Sequence, residues 1–281
     1  MFQILGDLPS WVIYGIVAAG LGGASVMVGD MLERAGFSWG RFLPVVAIVF
    51  VLGFGGEYAT NQIRRLAWSA ADTEQSLQDS APQTYAMLRK EFPDDYRRLI
   101  ADLTTLARNG DSSILPQRAA SLMATIRQKY AVYLRSAPDE QIKNLIDLSA
   151  EFHNSFFIEN GAVMCGRFAM EGGMYLLQEG LVLNYLVPLD VQVSVFFQAV
   201  AAGLKNSNSK PEALDKDWEV LANAMLENGT TEKYFLSLEN PMASDPLLCP
   251  ALVDLLHVAG SLEGEIGMRI RASLAVEMMS Q

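Results

Sequence analysis

The two side chains best equipped for covalent chemistry are Cys165 and His153, twelve positions apart in a segment poor in charge. In a cysteine mechanism the thiolate attacks, the imidazole manages its proton, and a third group orients the ring. Glu151, Glu159, Arg167 and Glu171 surround the pair in sequence. Spacing does not assemble them: Glu151 lies two positions from His153, which puts it on another face of a helix. The expectation is therefore structural and non-enzymatic, with an enzyme of unrecognised class using His153 or Cys165 as the third-ranked reading.

Cys249 is the other cysteine, 84 positions from Cys165 and outside any CxxC pattern. That predicts two isolated buried thiols and no disulfide framework. Only His153 and His257 could join them as zinc ligands, and no two of these residues have metal-site spacing, so no metal is expected. No Walker loop, dinucleotide glycine fingerprint, nucleophile elbow or HExxH occurs, so no cofactor is expected either. Asn228-Gly229-Thr230 matches a glycosylation sequon and reads equally as a helix stop.

Arg167 and Glu171 stand four apart and can pair on one helical face. Their apolar surroundings make them candidates for a buried polar pair or a partner-contact site, because an unpaired buried charge is costly.

Helices must carry these residues. Tyr96, Leu99, Ile100, Leu103, Leu106 and Ala107 line one face after the start signal Pro93-Asp94-Asp95, and Gly110 closes the run. Two further amphipathic helices are predicted, over 116–135 and from Asp139 past Phe156. From Phe156 to Leu204 the charges thin and the stretch reads as the buried centre of the domain; Val191–Phe197 alternates like a strand, but its surroundings favour helix. A third membrane span there is not expected, since Pro188 and Asp190 interrupt the uncharged runs. Lys205–Pro211 is a polar loop, and helices resume over 211–228, 231–238 and 251–279.

The front of the chain has another character. Trp11 to Gly29 is nineteen residues without a charge, long enough to cross a hydrocarbon core of roughly 30 Å. Phe42 to Gly56 is fifteen and needs Trp39, Arg41 and Tyr58 at its ends to span. Gly15, Ala19 and Gly23 recur every four residues and form a candidate helix-packing face in the membrane. The fold class predicted is all-α: a transmembrane hairpin (1–57), a linker helix (58–82), and a soluble multi-helix domain (83–281) of eight to ten helices.

Hydrophobic residues make up 51% of the 281, and net charge is −11. An acidic body argues against nucleic acid and against polybasic lipid contact. The expected location is the cell (inner) membrane with the domain in the cytoplasm, on the ground that Arg64 and Arg65 form the tighter basic cluster and no disulfide stapling is visible. The leading function is a membrane-anchored interaction protein: a scaffold, regulator or accessory subunit, with toxin neutralisation as one form. Its partners would be the lipid bilayer and a second protein, or further copies joined through the hairpin. The runner-up is an oligomeric membrane complex or pore gated by the helical domain.

Overall fold

The computed structural model describes residues 67–110 and 112–280. The hairpin expected at 11–29 and 42–56, its Gly15/Ala19/Gly23 face and the first part of the linker lie outside the described residues. Every regular element within them is helical. They are α1 (Ala70–Ser80), α2 (Pro82–Glu91), α3 (Pro93–Asn109), α4 (Leu115–Ala131), α5 (Asp139–Asn160), α6 (Ala162–Glu171), α7 (Gly173–Gln178), α8 (Leu186–Lys205), α9 (Asp215–Glu227), α10 (Glu232–Glu239), α11 (Leu248–Ser261) and α12 (Gly264–Ser280). Short 3-10 turns occupy Ser112–Ile114, Val132–Ser136 and Val182–Tyr185. The all-α expectation holds, with more helices than the eight to ten anticipated.

The chain divides into two compact units: Met1–Glu74 with Ile100–Leu115, and Gln75–Leu99 with Pro116–Gln281. In the smaller, the Trp68 indole donates to Thr73 Oγ1 at 2.8 Å, and Thr73 and Thr104 share a hydroxyl–hydroxyl bond of 2.8 Å. Arg108 Nε donates to the Trp68 carbonyl at 2.7 Å, which fixes Trp68 against the second half of α3.

In the larger unit α5 is the central helix. Ile142, Leu145, Ile146, Ala150 and Phe156 are fully buried along one stripe, as helical periodicity requires of a core element. That stripe meets α11 along much of its length, and α8, α12 and α6 complete the enclosure. Arg271, itself buried, grips the start of α5. Its Nη2 donates to Asp139 Oδ2 at 2.6 Å and its Nη1 to the carbonyls of Ala259 and Leu262. One guanidinium thus satisfies the free carbonyls at the end of α11 while pairing with a carboxylate in the first turn of α5.

Val191–Phe197 lies within α8, so the strand alternative falls. Pro188 sits in the first turn, where a missing N–H costs nothing. Asp190 is held inward by a partner helix: its carboxylate accepts from the backbone N–H groups of Gln83 and Thr84 at 3.0 and 2.8 Å. A side chain from α8 therefore caps α2, satisfying donors that α2 cannot satisfy itself. Val182–Lys205 is long and apolar enough to cross a membrane. It nonetheless carries Asp190 inward, and Phe196, Phe197, Ala199 and Val200 are fully buried against protein, as in a core helix.

The helix expected from Pro211 starts only at Asp215. Lys210 N donates to the Arg135 carbonyl and Ala213 N to Ser273 Oγ, which hold the preceding residues extended. Asp217 then reaches back to the Leu214 N–H at 2.9 Å and starts the helix there. At the sequon, Asn228 Nδ2 donates to the Ala224 carbonyl, and Gly229 adopts φ 90°, which is a helix stop.

Candidate functional site

One end of the larger unit concentrates the residues singled out by chemistry. The last turns of α5, all of α6 and α7, the 182–185 turn and the start of α11 meet there around a buried aromatic cluster. Two glycines make the folding-back possible. Gly161 (φ 82°) separates α5 from α6, and Gly172 (φ 61°) separates α6 from α7, both in the left-handed region that side chains disfavour. The stretch expected to be one continuous buried centre is thus broken into short helices packed on one another.

Phe152, Phe156, Phe168 and Tyr185 interlock with ring centroids 5.0–6.3 Å apart, in tilted, stacked and edge-on pairs. His153 is buried at the edge of this cluster, 5.2 Å from the Phe168 ring. Its Nδ1 lies 2.7 Å from the Ser149 carbonyl, which assigns the proton to that nitrogen. Burial pushes the imidazole below the ordinary histidine range, only partly opposed by the Ser149 bond, so the ring is neutral at pH 7.

Cys165 and Cys249 are joined in a disulfide with Cα atoms 5.6 Å apart. The expectation of two isolated thiols is corrected. An 84-residue separation hides a contact that exists only once α6 has folded back beside the start of α11. Both cysteines are fully buried, and their sulfurs lie 3.4 and 3.9 Å from the His153 carbonyl oxygen. A bonded sulfur has no proton to donate, so these are packing contacts. The Cys165/His153 nucleophile–base pair is not assembled: the sulfur is committed to Cys249 and the imidazole proton to Ser149.

Arg167 and Glu171 do pair, at 3.2 Å, but not in the interior. Their side chains are 39% and 35% exposed, which corrects the expectation of a buried pair. Helical phase places Cys165 and Phe168 inward on α6 and turns Arg167 outward, where it also meets Glu179 at 3.1 Å. The guanidinium lies 4.6 Å over the ring of Tyr175, a buried member of the cluster. The hydrogen bond to Glu171 raises the arginine's affinity for its proton. Arg167 is therefore a lid over an aromatic ring with acidic neighbours, at the protein surface.

Several residues that matter here escaped the sequence reading. The Tyr185 hydroxyl donates to Glu159 Oε2 at 2.7 Å and accepts from Asn160 Nδ2 at 2.6 Å, which ties the 182–185 turn to the end of α5. The two elements so joined each carry exposed aliphatic side chains. Ile158 is 72% exposed, and Leu183 and Val187, two positions either side of Tyr185, are each 75% exposed. On the following helix Val163 and Met170 are exposed as well. Glu159 adjoins Ile158 in sequence and accepts from Tyr185, while Glu171 and Glu179 pair with Arg167 on the outer side of α6. A readable signal existed: Ile158 falls off the apolar stripe of α5, an aliphatic residue on the solvent face of a helix.

Among the described residues no group of three His, Cys, Asp or Glu side chains is placed to hold a metal ion. No protein-family model, curated protein or solved structure matches the chain.

Proposed function

We propose that this chain is a membrane-anchored helical interaction protein, held by the hairpin of residues 11–56 and binding a second protein through the end of its helical body. The exposed aliphatic surface of Ile158, Leu183 and Val187 carries the reading. Single exposed apolar residues are ordinary, but three of them on elements that a Tyr185 hydrogen bond ties together, with carboxylates on the same elements and the helices next to them, have the composition of a contact surface. Charge at this end decides between partners. Glu159, Glu171 and Glu179 outnumber Arg167, so this end repels an anionic bilayer and matches a protein that presents an apolar ridge flanked by Lys or Arg. The rigid disulfide-linked aromatic cluster beneath keeps the surface in one shape, which lowers the ordering cost of association.

The test is affinity purification of the full chain from its own membranes, beside a Leu183→Glu/Val187→Glu variant. Both positions are solvent-exposed, so the variant folds. A polypeptide that co-purifies stoichiometrically with the natural chain and is lost from the variant supports the reading; equal recovery with both, or recovery with neither, overturns it.

A further inference from the structure

We infer that the helical body folds on the oxidising, non-cytoplasmic side of its membrane, with Cys165–Cys249 made there as a structural disulfide. The inference rests on the anchored reading above and revises the cytoplasmic placement that the charge clusters first suggested. Two independent observations carry it.

The first is where the bond lies. Both cysteines are fully buried, and they join α6 to the start of α11 across the aromatic cluster. An oxidant cannot reach either sulfur in the folded body, so the bond forms while the body folds, and it reports the compartment of folding. Forming it breaks two S–H bonds and makes one S–S bond. The attacking thiolate opens the disulfide of a thiol–disulfide oxidoreductase, a mixed disulfide forms, and the second cysteine resolves it, leaving the oxidoreductase as a dithiol. Two electrons and two protons pass to that enzyme. Such oxidants dominate in the periplasm, the secretory lumen and outside the cell, while cytoplasmic thiols are kept reduced.

The second observation is the charge flanking the first span. The ten residues before Trp11 hold no Lys or Arg, whereas the connection between the two spans carries Arg34 and Arg41. Basic residues favour the cytoplasmic side, and the first span usually dominates orientation. The connection then faces the cytoplasm, and a two-span hairpin returns the chain to the opposite side before residue 67. Arg64 and Arg65 oppose this only after the first span has been placed. The acidic body meets no such barrier, because long domains cross largely without regard to charge. The apolar surface of Ile158, Leu183 and Val187 accordingly seeks a partner on that side.

The experiment uses the full chain in its native membrane. Cells are quenched in acid, the protein is denatured, and free thiols are tagged with a maleimide-polyethylene glycol, with and without prior reduction. The expected result is no tag without reduction and two tags after it; two tags without reduction overturn the inference. C-terminal fusions of the full chain to alkaline phosphatase and to a green fluorescent protein read the side. Active phosphatase with a dark fluorophore is expected, and the reverse pattern overturns the placement. Carbonate washing of the membranes separates the two claims: release of the chain sinks the anchor proposed above, while the tagging result still decides the disulfide.

Discussion

Opening the Cys165–Cys249 bond should destabilise the larger unit more than any other single chemical change. The bond spans 84 residues, which include all of α7 to α10, most of α6 and the first residues of α11. A crosslink closing a loop of that length removes chain entropy from the unfolded state worth roughly 4.5 kcal/mol at 25 °C. With a urea dependence of about 2–3 kcal/mol per molar, the midpoint of unfolding should fall by about 1.5–2.3 M on full reduction. The assay is urea denaturation followed by circular dichroism, on the oxidised chain, the reduced chain and a Cys165→Ala/Cys249→Ala variant. The variant should unfold at lower urea than the reduced chain, because both sulfurs are fully buried and their removal also leaves small cavities. A midpoint that moves by less than about 0.3 M on reduction would refute the reasoning, since the bond would then contribute under about 1 kcal/mol, a small fraction of the entropy this span predicts.

Three further outcomes follow from particular contacts. His153 is buried with a depressed affinity for its proton, so the unfolded chain binds a proton that the folded chain refuses; stability present above about pH 6.5 should fall as pH drops below it. Urea midpoints at pH 7.5 and 5.5 measure this, and His153→Gln should flatten the difference. Arg269 donates to both oxygens of Asp217, at 2.7 and 2.8 Å, and holds its carboxyl down to about 2. Its stabilisation is complete above the usual carboxylate range and is lost as pH falls from about 4 towards 2, so Asp217→Asn should remove that part of the acid transition. Gly203 packs against the 3-10 turn at Val132–Ser136, where an added Cβ would strike the Tyr133 carbonyl oxygen and come within 3.2 Å of the Ala137 nitrogen. Both obstacles are backbone, so Gly203→Ala should cost about 1–3 kcal/mol in a thermal or urea melt, whereas Gly173→Ala, in open space, should not.

What could be read in the sequence was local. The apolar stripes of α3, α4 and α5 are strong periodic signals, whereas the turns at Gly161 and Gly172 show their consequence, short helices folded on one another, only in space. What could not be read depends on distant partners. Asp190 looks like an interruption in an apolar run until α2 offers it two free N–H groups. Arg167 sits among apolar neighbours in sequence but on the outer side of α6 in space, because burial follows helical phase and not local composition. The cysteine pairing needs the folded-back helices before 84 residues of separation become a 5.6 Å approach of Cα atoms.

The central claim, that the end of the body carrying Leu183 grips a second protein, is tested most directly by crosslinking from that residue. A photoreactive phenylalanine analogue at position 183 in the full chain, irradiated in native membranes, places a reactive carbonyl on a side chain that is 75% exposed. The account predicts one discrete adduct with another polypeptide, absent when the probe stands at exposed Ser207 in the polar loop after α8. Adducts with lipid alone, no adduct, or the same product from both positions would contradict it.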